Sequence, residues 1–122
     1  DVDRCAEFLQ HWWAALCKLL ERDGARERES FEIHDRFIGE AYGDPTEACL
    51  DAIRLMAETE GILLDPVYSG KVLSGLCAHQ TERRYRPGQR ILMLHSGGTP
   101  ALFAYHDEIR AHLIRRGIAV DR

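Results

Sequence analysis

The sequence has little of what marks the special classes of protein. Only four of its 122 residues are proline and ten are glycine, which excludes a collagen-like, low-complexity or disordered chain. Its longest apolar runs fall far below the roughly 20 residues that a membrane-spanning helix needs. The first residues do not resemble a signal peptide, so no membrane partner is predicted.

The sequence has no cysteine motif and no excess of positive charge. The four cysteines form no C-x-x-C pair or other short metal-type spacing, so we expect no metal site and no disulfide framework. Lys and Arg number 16 against 20 Asp and Glu, a net charge of −4, which argues against nucleic acid as a partner. These features predict a cytoplasmic protein whose cysteines are reduced and buried.

Apolar residues recur in patterns that alternate between helical spacing and short runs. Helical spacing predicts four helices, over residues 4–22, 45–60, 68–83 and 101–116. Apolar runs or alternation predict three strands, at residues 31–37, 62–64 and 90–95. Such an order is typical of an α/β fold in which helices cover both faces of a parallel sheet. We expect residues 1–122 to form a single α/β segment of this kind.

The helix predicted over residues 45–60 has the clearest ends. Asp44 is the expected N-cap, Pro45 suits the first helical position, and Glu47 would complete a capping box. Gly61 follows the last helical position and is the expected stop.

Three loops are candidate ligand sites, because ligands of a parallel sheet bind beyond the carboxyl ends of its strands. These loops are residues 39–43, 65–70 and 96–100. The last contains Ser96, Gly97 and Gly98, where glycine would let a ligand approach the backbone and free N–H groups would favour an anion. An ordinary glycine turn is the alternative interpretation.

The other polar residues near these loops each have two interpretations. Tyr42 and Tyr68 could stack on a planar ligand or exchange a proton, although spacing alone favours phenols that anchor a loop. His95 could be a base, although a packed histidine with satisfied nitrogens is favoured. Asp65 precedes proline and is interpreted as a turn former. Lys71 lacks the earlier glycine of a phosphate-binding loop, so we expect a helix-start salt bridge or hydrogen bond.

Two long motifs resemble one enzyme family. The first comprises A-Y-G at residues 41–43, a helix over 47–60, and G-I-L-L-D-P-V-Y-S-G-K at 61–71. The second is H-S-G-G-T-P-A-L-F-A-Y at residues 95–105. Their sequence, order and spacing are similar to the family of D-cysteine desulfhydrase and 1-aminocyclopropane-1-carboxylate (ACC) deaminase, whose cofactor is pyridoxal 5'-phosphate (PLP). The resemblance is closest over residues 38–105, whereas residues 1–37 fit only by position.

This resemblance implies a tryptophan-synthase-β-like fold, of which the chain would be the C-terminal part of the large domain. The family's Schiff-base lysine and phosphate-binding loop would lie upstream, since neither Lys18 nor Lys71 has the Schiff-base context. The chain also lacks an initiator methionine. We therefore expect a fragment that does not catalyse alone and that pairs with a missing N-terminal segment or a homo-oligomer partner.

The resemblance also implies roles for individual residues. Tyr42 and Tyr68 match the two active-site tyrosines of the family, and Tyr68 is the better candidate for proton transfer. Four further residues match cofactor-binding positions, namely Ser69, Ser96, Gly97 and Gly98. D-cysteine desulfhydrases carry hydroxyl residues at the positions of Ser69 and Ser96, whereas ACC deaminases carry Glu and Leu there.

The two serines bear on the reaction. A carboxylate near the pyridine nitrogen keeps it protonated and makes a stronger electron sink, which opening a cyclopropane demands. A hydroxyl tolerates a neutral ring, which is adequate for losing a thiolate. The resemblance therefore predicts β-elimination from D-cysteine or a related small amino acid, giving pyruvate, ammonia and sulfide. The alternatives are ACC deamination and a non-catalytic, truncated protein that serves assembly or ligand binding.

Overall fold

A computed structural model describes residues 2–22 and 31–120, and all the regular secondary structure in these ranges is helical. It divides into two compact units, residues 1–36 and 37–122. The helices are α1 (Val2–Leu19), α2 (Glu47–Glu60), α3 (Ser69–Thr81), a 3-10 helix (Thr99–Phe103) and α4 (His106–Arg115). Within the described ranges, no helix combines the length and the apolar character needed to span a membrane.

The first unit is built around α1. Its apolar side chains follow helical spacing, and the ring of Trp13 packs edge-on against that of Phe31 with the centroids 5.9 Å apart. The helix predicted over residues 4–22 is confirmed, with a shift of two or three residues at each end. Cys17 is buried as expected, but the expectation of burial is wrong for Cys5, which is exposed.

The second unit has its core between α2 and α3. The buried apolar residues are Cys49, Leu50, Ala52, Ile53, Leu64 and Leu73. Close approach of the two helices depends on Gly70, because a Cβ there would lie 2.8 Å from both the Cys49 Sγ and the Ile53 Cγ1. α3 therefore begins directly against α2, and this contact fixes where the preceding turn lies.

One end of α2 lies where the sequence predicts it, and the other is capped by a different residue. Gly61 is confirmed as the stop, with a φ of +66° and an N–H that donates to the Ala57 carbonyl at 3.2 Å. The N-cap, however, is Thr46 and not Asp44. The Thr46 Oγ1 accepts from the Cys49 N–H at 3.1 Å, so it satisfies one of the free N–H groups at the start of the helix.

The predicted parallel sheet with helices on both faces is wrong. Residues 31–37, 62–64 and 90–95 form no strand in the described parts of the chain, and no backbone hydrogen bond there joins the last two segments. A strand requires a neighbour that takes its backbone hydrogen bonds. Side chains take that place at Leu63, whose carbonyl accepts from His95 Nε2 at 3.1 Å and from Thr99 Oγ1 at 3.4 Å.

The last predicted helix, residues 101–116, is split into the 3-10 helix and α4. Tyr105 lies at the break with φ −107° and ψ 20°, outside the α-helical range. Its hydroxyl donates to the Gly43 carbonyl at 2.6 Å. The break therefore ties the C-terminal part of this unit to the loop at residues 39–43.

A buried histidine joins α4 to α2. His112 is 1% exposed, with Nδ1 2.8 Å from a Glu47 oxygen and Nε2 3.1 Å from an Asp51 oxygen. Arg115 pairs with the other Glu47 oxygen at 2.5 Å, and Arg116 pairs with the other Asp51 oxygen. Each of the two carboxylates on α2 is therefore held by His112 and by one arginine, either in the last turn of α4 or at its C-cap.

The link between α2 and α4 makes stability depend on pH. Hydrogen bonds from Arg115 and then His112 hold the pKa of Glu47 below its ordinary value of 4.5. The ionised carboxylate therefore stabilises the fold above about pH 4.5, and this contribution is lost as the pH falls through the lowered pKa. We predict that Glu47→Gln lowers stability at pH 7 and weakens its loss on acidification, as measured by urea unfolding from pH 3 to 7.

Glu60→Gln is the matched control, because Glu60 lies at the opposite end of the same helix. Its unfolding curves should follow those of the unaltered chain. An acid response in Glu47→Gln equal to that of the unaltered chain would contradict the interpretation.

Candidate functional site

A fully buried carboxylate organises the turn before α3. Asp65 Oδ2 accepts from the N–H groups of Val67 at 2.9 Å and Tyr68 at 2.7 Å. Its Oδ1 accepts from the Ser69 N–H at 2.8 Å and the Ser69 hydroxyl at 2.5 Å. Burial raises the pKa of Asp65, but the hydrogen bonds from Ser69, Tyr68 and Val67 outweigh it and lower the pKa overall. The turn is therefore built on an ionised group.

The loop at residues 96–100, called the glycine loop below, contacts this carboxylate at Gly98. Gly98 has a φ of +87°, and a Cβ at that position would lie 2.7 Å from Asp65 Cγ. Gly97 has a φ of +99°, and a Cβ there would meet nothing within 4 Å. A side chain at Gly98 would therefore clash with Asp65, whereas the space that a Cβ of Gly97 would occupy is open.

His95 bridges the same loop to the segment before Asp65. Its Nδ1 accepts from the Gly97 N–H at 3.1 Å, and its Nε2 donates to the Leu63 carbonyl at 3.1 Å. This network corresponds to the neutral tautomer with the proton on Nε2. Both nitrogens of His95 are satisfied as expected, but the expectation of a packed side chain is wrong, because His95 is exposed.

Two contacts hold the loop at residues 39–43 against the rest of the site. The buried Lys71 ammonium donates to the Ile38 carbonyl, which confirms the hydrogen bond expected for this lysine. At the other end, the Tyr105 hydroxyl donates to Gly43. Tyr42 lies between these two anchor points.

The hydroxyl groups of Tyr42 and Tyr68 form a hydrogen bond with each other. Their rings meet at an interplanar angle of 63°, and the residues are 83% and 51% exposed. The hydrogen bond with Tyr42 is the largest cause that raises the pKa of Tyr68, followed by desolvation and by the charges of Tyr42 and Asp65. Two phenols that are 26 positions apart in the sequence thus form a hydrogen-bonded pair at the surface.

A cavity of about 470 Å³ lies beside the tyrosine pair. Its walls come from the loop and from the first turn of α3, namely Ile38, Gly39, Glu40, Ala41, Tyr42, Gly43, Val67, Tyr68, Lys71 and Val72. A small planar molecule could therefore contact the rings while it is partly enclosed.

The residues singled out in the sequence are brought together to different extents. Tyr42 and Tyr68 touch, and Gly98 contacts the start of α3 through Asp65. Ser96 is exposed, whereas Ser69 is buried and its hydroxyl is engaged with Asp65. The two serines therefore differ in the access that they offer to a ligand.

Sequence reasoning missed the extent of the role of Asp65. The sequence identified Asp65 as a turn former. It did not reveal the contact of Asp65 with the glycine loop, because that contact joins residues more than thirty positions apart. A local signal existed in the serine four residues later, whose hydroxyl and N–H both reach the carboxylate.

Comparison with known proteins identifies similar sequences. Residues 3–97 match the family described as pyridoxal-phosphate dependent enzyme. D-cysteine desulfhydrase of Serratia proteamaculans (strain 568) is 49% identical over 77 residues, which cover 63% of this chain and 23% of the relative. The D-cysteine desulfhydrase of Klebsiella pneumoniae (strain 342) is 47% identical over 77 residues, 63% of this chain and 24% of the relative.

A solved structure is similar as well. A crystal structure of an ACC deaminase homologue superposes with a TM-score of 0.54 and 38% sequence identity, over 59% of this chain and 22% of that one. The chain spans about a quarter of the length of the curated relatives that it matches.

The tyrosine pair can be tested by its titration. Tyr42→Phe should lower the pKa of Tyr68 towards its ordinary value of 10, because it removes the hydrogen bond that raises this pKa most. The measurement is the pH dependence of the Tyr68 ¹³Cζ resonance. Tyr85→Phe is the control, since that hydroxyl lies 3.3 Å from His79 instead. An unchanged Tyr68 titration in Tyr42→Phe would contradict the pairing.

Proposed function

The chain belongs to the pyridoxal-phosphate-dependent enzyme family, and we propose that it carries the tyrosine side of the active site of a D-cysteine desulfhydrase. The observation that carries this proposal is the Tyr42–Tyr68 hydroxyl pair, at the junction of two loops and beside a cavity. The identity of 49% to a D-cysteine desulfhydrase supports the choice within the family. The substrate would be a small amino acid and the location cytoplasmic, as for a soluble metabolic enzyme.

The residues of the proposed site are suited to contact the pyridine ring of PLP. Two exposed phenol rings offer surfaces for a planar aromatic group, and the space open at Gly97 lets a ligand approach the backbone. We propose that Tyr42 and Tyr68 flank the cofactor and that Ser96, Gly97 and Gly98 contact it. When bound, PLP supplies an electron sink for the substrate α-carbon.

Ser69 belongs to the proposed site in a different way. Its hydroxyl donates to Asp65 Oδ1 and accepts from the Asp65 N–H, so both of its strong bonds are made within the turn. We propose that it contributes to cofactor binding by holding the turn that carries Tyr68.

Tyr68 is the group proposed to move a proton. The ordinary pKa of a tyrosine is 10 and that of Tyr68 is raised, so the hydroxyl is protonated at neutral pH and Oη can donate as the C–S bond of D-cysteine breaks and the thiolate leaves. The hydrogen bond with Tyr42, which favours the protonated form of Tyr68, holds that hydroxyl in position. With water, the overall products are pyruvate, ammonia and sulfide.

The covalent lysine is proposed to come from protein outside this chain. The chain has two lysines, of which Lys18 lies in α1. Lys71 is buried and donates to the Ile38 carbonyl, so its amine is not free to react. We therefore expect the chain alone to be inactive.

Exposed apolar residues support a partner that completes the site. Leu92 is 94% exposed and Leu94 is 79% exposed, and both lie in the segment that leads into Ser96. Leaving such side chains in water is unfavourable, at about 25 cal/mol for each Å² of apolar surface. We propose that an upstream segment of the family fold, or a second copy of the chain, covers them.

ACC deamination is the second candidate, because a homologue of that enzyme is a structural neighbour. Opening a cyclopropane needs a stronger electron sink than losing a thiolate. Ser69 and Ser96 provide no carboxylate for that purpose, and this favours the desulfhydrase. A non-catalytic protein of the same family would retain the fold without either activity.

The proposed function can be tested in a chimaera. The segment of the Serratia desulfhydrase that this chain matches would be replaced by the corresponding residues of this chain, and pyruvate from D-cysteine and 2-oxobutanoate from ACC would be measured separately. We expect pyruvate formation to dominate. Tyr68→Phe should lower turnover by roughly 10²–10⁴-fold if Tyr68 transfers the proton.

Tyr85→Phe in the same chimaera is the control and should retain activity, because Tyr85 contacts His79 and not the paired phenols. A folded chimaera that forms 2-oxobutanoate but little pyruvate would favour the ACC deaminase. A folded chimaera with neither activity would favour the non-catalytic protein.

A further inference from the structure

Asp65 lies between the two loops that carry the proposed cofactor and proton-transfer groups. On one side its carboxylate accepts from the Tyr68 N–H, and on the other it packs against the backbone at Gly98. It is fully buried, and its described hydrogen bonds come from N–H and O–H groups. Ionised groups without water need such donors, so the surrounding chain is held in a defined geometry.

The position of the Tyr68 hydroxyl depends on this turn. Tyr68 is half exposed and precedes α3 with φ −123° and ψ −72°, so its backbone is held from outside the helix. Its N–H bond to Asp65 Oδ2 is the shorter of the two that this oxygen accepts, at 2.7 Å. The ring then extends from the turn to Tyr42.

We propose that Asp65 is a positioning residue of this site, whose carboxylate holds the turn so that the Tyr68 hydroxyl meets the Tyr42 hydroxyl. Asp65 does not itself touch the reacting groups, and it acts through Tyr68. The proposal rests on the proposed function only in giving the tyrosine pair a catalytic use.

Replacing Asp65 with asparagine, an amide of the same shape, distinguishes hydrogen bonding by the carboxylate from packing of its side chain. Four donors converge on the two oxygens of Asp65. In Asp65→Asn one oxygen becomes an NH₂ group, which would face two of these donors and could accept from neither. The turn must then rearrange although the volume of the side chain is unchanged.

The test is a double-mutant cycle read by the ¹³Cζ titration of Tyr68 in the complete chain. The four proteins are the unaltered chain, Tyr42→Phe, Asp65→Asn and the double variant. The charge of Asp65 also acts directly on the pKa of Tyr68. This direct effect is the same with and without Tyr42→Phe, so it cancels when the shift caused by Tyr42→Phe is compared between proteins with Asp65 and proteins with Asp65→Asn. We expect Tyr42→Phe to lower the pKa of Tyr68 when Asp65 is present and to leave it unchanged in Asp65→Asn.

Ser74→Ala is the matched control for loss of a buried polar contact. Ser74 lies in α3, directly after the turn that Asp65 holds. It is buried, and its hydroxyl donates to the Lys71 carbonyl at 2.8 Å. It should lower stability while the coupling between the tyrosines persists. Equal coupling in Asp65→Asn and in the unaltered chain would overturn the proposal, because Asp65 would then contribute to stability alone.

A second measurement needs no variant and decides the case if Asp65→Asn does not fold. The amide protons of Val67 and Tyr68 should shift together with the Asp65 ¹³Cγ resonance as the carboxyl titrates in the unaltered chain. Amide protons that ignore this titration would overturn the proposal. Neither measurement includes cofactor or substrate, so an inactive chimaera would contradict the proposed function without affecting this result.

Discussion

The buried carboxylate of Asp65 is the constraint on which the site depends. Removing an ionised group from water is unfavourable unless donors replace the lost solvent, and four N–H and O–H groups converge on its two oxygens. Meeting that requirement fixes the turn at residues 66–69. The same carboxyl sterically excludes a side chain at position 98, where a Cβ would lie 2.7 Å from the carboxyl carbon. One buried carboxyl therefore constrains two loops, by hydrogen bonds in one and by close packing in the other.

The helices hold the third loop against this centre. α2 and α3 approach closely at Gly70, and His112 with its flanking arginines attaches α4 to the carboxylates at the start of α2. This arrangement brings Tyr105 to Gly43 and Lys71 to Ile38, at the two ends of the loop that carries Tyr42. The exposed tyrosine pair thus rests on buried contacts, which is how a surface site can keep a defined geometry.

Local signals made part of the fold predictable. The amphipathic helices and the stop at Gly61 follow from periodicity and from one left-handed glycine, so they were found. The sheet was wrongly predicted because pairing of strands is non-local, and an apolar run such as residues 62–64 does not identify its partner. The resemblance supplied Tyr42 and Tyr68 as candidates. Their hydrogen bond, and the contact of Asp65 with Gly98, join distant positions and could only be found in three dimensions.

Amide hydrogen exchange tests the central role of Asp65 most directly. The N–H groups of Val67, Tyr68 and Ser69 donate to a buried carboxylate, so the account predicts that they exchange far more slowly than the amides of Leu92 and Leu94 in the exposed segment. The comparison is internal to one protein and one experiment. Exchange of the Val67 and Tyr68 amides at the rate of an unstructured peptide would contradict the account.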